Sequence, residues 1–195
     1  MTQFEFVMMV AAVVIALGIS QIVGGWGLLI RANEREIRFD WLHLGMSIMI
    51  AMGMLQYWVG MWAYEPIELK YGFQVALLVV PSFFLVIAAY AISPDPELLG
   101  KNSCRHYYMS RRAAIFLPLA FASLLSVIAD GAIAGFDEPT PAVWLVFGVG
   151  SAQTIALALT QRVWLHAAVL IIGIVQIYVW FLAAELFDIN QRLID

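Results

Sequence analysis

Residues 6–30 read FVMMVAAVVIALGISQIVGGWGLLI, a run without a single charged side chain. A helix needs about 20 predominantly apolar residues to cross a hydrocarbon layer about 30 Å thick. This stretch exceeds that length and lacks the period-two alternation of a barrel strand. Five more runs of the same kind follow, at about 41–64, 71–93, 113–135, 141–160 and 163–187. Inside the six runs the only carboxylates are Asp130 and Glu185, and there is no Lys or Arg. The chain is 63% hydrophobic and 12% charged. Backbone polar groups in lipid must be satisfied within the spanning structure, and a helix does this alone. The pattern therefore predicts an all-α fold: one domain over residues 1–195, an integral membrane bundle of six transmembrane helices.

The connections predict orientation. Arg31, Arg35 and Arg38 lie in the first connection, Lys101, Arg105, Arg111 and Arg112 in the third, and Arg162 in the fifth. Only Lys70 and Arg192 fall on the other side. Basic residues are retained on the cytoplasmic side during insertion. Connections one, three and five are thus expected in the cytoplasm, with both termini outside. Nine acids and two bases give the outer side a formal charge of −7, and eight bases and five acids give the inner side +3, within a net −4. The basic residues and tyrosines of the third connection suit anionic headgroups. Lipid is the partner they imply, and nucleic acid is not. No basic segment precedes the first run, which therefore reads as a membrane helix and not as a cleaved signal. A single cysteine, Cys104, forms no internal disulfide.

Small residues recur at four-residue spacing: Ala12, Ala16, Ser20 and Gly24 in the first span, Gly148, Ala152, Ala156 and Thr160 in the fifth. Such ladders let membrane helices approach closely. They predict that spans one and five are central, and they suit a homo-oligomer or a subunit of a larger complex. In the fourth span Pro118, Ala122, Ser126 and Asp130 share one stripe, which points Asp130 inward. Trp41-Leu42-His43 opens the second span and Trp164-Leu165-His166 the sixth; Gln56 precedes Glu65 by nine residues, as Gln176 precedes Glu185. Hairpins one–two and five–six therefore read as a parallel repeat, of the sort known in transporters.

Three constellations can carry chemistry. A carboxylate at the centre of a bilayer costs about 2.5–3.5 kcal/mol and faces a partner or water. Asp130 is the leading candidate, and Glu65 and Glu185 end the second and sixth spans at the same outer level. Together they form a candidate cation or proton entry site. Gln21, Gln56, Gln153 and Gln176 lie at intermediate depths, and amides in hydrocarbon need partners. They would line one polar cavity, or form interhelical hydrogen bonds worth about 0.6 kcal/mol each. His43 and His166, just inside two cytoplasmic helix starts, are alternative axial ligands for a b-type haem. No other cofactor and no metal site is expected.

The spans contain no lysine for a retinal Schiff base and no regular arginines for a voltage sensor. HExxH and nucleotide-binding loops are absent too, so an enzymatic role is not expected. Phe4-Glu5-Phe6, Leu17-Gly18-Ile19, Leu29-Ile30-Arg31 and Trp41-Leu42-His43 resemble an uncharacterised family of small bacterial multi-pass proteins. The resemblance covers the first two spans. It implies a bacterial inner-membrane setting and brings no activity. The expected function is passage or binding of a small solute or cation, a transport or channel-like role. The alternatives are a haem-binding redox or sensor subunit and a scaffold subunit.

Overall fold

The computed structural model describes residues 2–31, 40–94, 103–134 and 141–192, with side chains described except at 134, 141–147 and 180–192. Among these residues there are seven α-helices, one 3-10 turn and no strand. Helix α1 is Gln3–Arg31 and α2 is Trp41–Gly60, continued by the 3-10 turn Met61–Tyr64. Then come α3 (Gly72–Ile92), a short α4 (Cys104–Ser110), α5 (Arg112–Ala134), α6 (Pro141–Leu159) and α7 (Val163–Arg192). Four segments are long and apolar enough to cross a membrane: Gln3–Arg31, Trp41–Tyr64, Gly72–Ile92 and Arg112–Ile133. The apolar lengths described in the last two helices are shorter, Gly148–Leu159 and Val163–Val179.

Local chemistry sets the ends. Asp40 has extended backbone and its carboxylate accepts from the amides of Leu42 and His43, which starts α2. Gln74 folds back at the start of α3, its Oε1 accepting from the Lys70 and Tyr71 amides. Helix α3 stops at Ile92 because Pro94 pushes Ser93 out of helical backbone, to ψ 112°. Part of the third connection is itself helical. Ser103 nucleates α4 by accepting the His106 amide.

Helix α3 is central. It packs most extensively on α5 and α1, while α5 packs as fully on α6. Helix α2 lies across α1 and α3 and carries α7. On α1 the buried stripe includes Phe4, Met8, Ala11, Ile15, Gly18, Ile22, Gly25 and Leu29, in alternating steps of four and three. A repeat near 3.5 residues keeps one seam against neighbouring helices. Gly18 receives Met54 of α2 and Val86 of α3, and Gly25 lies against Ser93.

This corrects the expectation drawn from the small-residue ladders. Ala16, Ser20 and Gly24 on α1 are exposed, as are Gly148, Ala152 and Ala156 on α6, and the centre belongs to α3. Met54 and Val86 fitted over Gly18, and Ser93 against Gly25, determine the packed seam, and the ladder lies on another face. The stripe on α5 does face inward: Ala122 and Ser126 are buried, Pro118 and Asp130 half-buried. The two similar hairpins pack differently, since α1 and α2 adjoin whereas α6 and α7 touch sparsely. Instead α7 leans on α2, with Leu170 over Gly45 and Met49 over Gly173.

Candidate functional site

Two polar clusters stand at opposite ends of the bundle. On α2 and its 3-10 extension, His43 and Tyr64 are 21 residues apart, about 30 Å along a helix. That is the thickness of a hydrocarbon layer.

At the Tyr64 end, Asp130 projects from the inward stripe of α5 and its Oδ1 accepts from the Tyr64 hydroxyl at 3.0 Å. Its other oxygen accepts no hydrogen bond from the described residues. Two residues further on, the Ala132 carbonyl accepts from Nε2 of the buried Gln74, at 3.2 Å. Phe4 and Trp62 pack edge to face above, with ring centroids 5.9 Å apart. The Trp58 indole nitrogen is buried without a partner among the described residues. Glu65, next to Tyr64, is exposed. Glu185 lies on α7, where the side chain falls outside the described residues. Asp130 is therefore a half-buried carboxylate oriented by one phenol, with an oxygen that no described residue occupies. It has the donor character to hold a small cation or a hydrogen-bonding solute.

At the other end, His43, Tyr108 and His166 are all within 1% of complete burial. His43 Nε2 lies 2.8 Å from the carbonyl of Ile92, the last residue of α3. A carbonyl only accepts, so Nε2 carries the proton. His166 behaves alike: Nε2 donates to the Thr160 carbonyl at the end of α6, at 3.2 Å, and Nδ1 accepts from the Tyr108 hydroxyl at 2.6 Å. Each histidine thus satisfies a terminal carbonyl that its own helix leaves without a partner. The Tyr108 ring contacts both imidazoles, with centroids 6.5 Å from His43 and 5.3 Å from His166. Helix α4 is braced on four sides. Arg105 Nε donates to Asp40 at 2.7 Å, Tyr107 donates to the Ala91 and Ser93 carbonyls, Cys104 packs with Leu29, and Tyr108 holds His166. Burial pushes the Cys104 thiol and the Tyr108 phenol above their ordinary ranges, and the nearby Asp40 charge adds to both.

This arrangement does not fit bis-histidine haem. Both nitrogens of His166 are engaged within the protein, and the Tyr108 ring packs against both imidazoles. Among the described residues no three His, Cys, Asp or Glu side chains meet in a metal-binding group.

Gln21, Gln56 and Gln153 are half-buried and Gln176 is exposed. None of the four side chains has a hydrogen-bond partner among the described residues. Gln21 lines a groove formed by α1 alone.

Sequence reasoning missed Tyr64, Asp40 and Tyr108. Asp40 was legible, since an aspartate directly before an apolar run is a helix-start signature. Tyr64 and Tyr108 carry no such signal, because a tyrosine near a membrane interface reads as an anchor. No family model, curated relative or solved structure matches the chain.

Proposed function

We propose that this is a six-span protein of a bacterial cytoplasmic membrane that binds, or passes, a small cation or polar solute entering at Asp130. Helices α1, α2 with its 3-10 turn, α3, α5, α6 and α7 are the spans. Connections one, three and five face the cytoplasm, which puts the Asp130–Tyr64 pair at the outer end and the His43–Tyr108–His166 cluster at the inner end. The observation that carries this reading is that Asp130 faces the bundle and, beside the Tyr64 phenol, keeps one oxygen that accepts no hydrogen bond from the described residues. Intramembrane carboxylates placed in this way mark ion and solute pathways. In the inner cluster His43 Nε2, both His166 nitrogens and the Tyr108 hydroxyl are engaged with one another and with helix ends.

Purified protein in liposomes tests it, with cation-sensitive dyes and labelled small solutes. Asp130→Asn is expected to lower flux or binding at least tenfold, and Tyr64→Phe less. Transport unchanged by Asp130→Asn would remove this carboxylate from the mechanism.

A further inference from the structure

The outer face of α1 carries a groove of about 490 Å³, lined among others by Gln21, Gly24, Gly27, Leu28 and Arg31. Absent side chains create it. A Cβ placed on Gly24 or Gly27 would meet nothing within 4 Å, whereas Gly25 is turned inward against Ser93. The groove runs from Arg31, the last residue of the helix, to Gln21. Ten residues of helix span about 15 Å, the depth of one leaflet of a layer about 30 Å thick. Its volume is comparable with that of one phospholipid acyl chain, and exposed Leu17, Val23 and Ile30 flank it.

The surface end holds the charge. Among the described arginines at this end, Arg105 pairs with Asp40, Arg111 lies over the Tyr107 ring and Arg112 donates to the Met109 carbonyl, while the Arg162 guanidinium lies away from the groove. Arg31 has no partner among the described residues, and none of the described residues that line the groove is a carboxylate. A helix C-terminus does not itself attract anions, so any attraction comes from this guanidinium.

We propose that the groove holds one acyl chain of an anionic phospholipid whose phosphate rests on Arg31. Cationic charge at the headgroup level, then bare backbone, then apolar walls matches the order of parts along such a lipid. The chain lies against backbone that Gly24 and Gly27 leave uncovered, and the guanidinium forms charge-assisted hydrogen bonds to the phosphate.

Native mass spectrometry of protein delipidated in mild detergent, then titrated with phosphatidylglycerol or phosphatidylcholine, tests this. One phosphatidylglycerol should be retained per chain, about fivefold more tightly than phosphatidylcholine, as one arginine near an anionic group implies. Gly24→Leu with Gly27→Leu fills the groove without touching the packed seam of α1. It should abolish retention while leaving thermal unfolding unchanged. Arg31→Gln should equalise the two lipids. Absence of retained lipid would overturn the proposal, as would retention equal in wild type and the double-leucine protein. A mass of two chains that disappears in the double variant would overturn it too, by assigning the groove to a second copy.

Discussion

At the scale of single residues, the two histidines act as donors to helix ends. His166 joins the half-buried Thr160 carbonyl to the Tyr108 hydroxyl, and both His166 and Tyr108 are buried. Each buried group left without a partner costs about 1–3 kcal/mol. His166→Phe should therefore lower the melting temperature by several degrees, more than His43→Phe, which orphans only the Ile92 carbonyl. Equal melting of the two variants, followed by circular dichroism in detergent, would contradict this. Cys104 allows a second test. Its raised thiol pKa means the native state keeps a proton that the unfolded state loses. That contribution to stability is complete below about pH 8.5 and is lost as pH rises through the native value. Cys104→Ala should flatten the fall in melting temperature above about pH 8.5. Native Cys104 should also react with iodoacetamide far more slowly than in denaturant. That His43 and His166 both stand near helix starts was legible because both follow Trp-Leu there. Their partners were not, because backbone carbonyls leave no mark in sequence.

At the scale of the helix, length was legible and facing was not. The six expected runs coincide within a few residues with α1, α2 plus its 3-10 turn, α3, α5, α6 and α7. Long uncharged stretches allow little else. Which side packs is harder to read, because lipid-facing side chains are as apolar as core ones and small residues serve either side. Phe6, Met9, Val13 and Leu17 on α1 are exposed, yet differ little in character from buried Val7, Met8 and Ile15. Asp130 was the exception, since one carboxylate identified the inward stripe of α5. The seam on α1 predicts a contrast at two glycines. Gly18→Leu intrudes on Met54 and Val86, and overpacking costs about 1–3 kcal/mol. Gly24→Leu meets nothing and should leave stability unchanged. Comparable destabilisation of both, read by thermal unfolding, would place the packed face elsewhere.

At the scale of the whole molecule, α3 is the post around which α1, α2 and α5 are set, α4 ties one end together, and α7 hangs on α2. Nothing in the sequence pattern identified α3 as central, because that depends on how the helices close on one another. The account rests on a bundle that crosses the membrane with its arginine-rich turns inside. Glu68 and Ser110 are both exposed, on connections two and three. In a Cys104→Ala background, Glu68→Cys and Ser110→Cys should differ towards a membrane-impermeant maleimide applied to intact inner-membrane spheroplasts. Glu68→Cys is predicted to label at once, and Ser110→Cys only after permeabilisation. The reverse order, or equal labelling of both in a detergent-free soluble fraction, would contradict it.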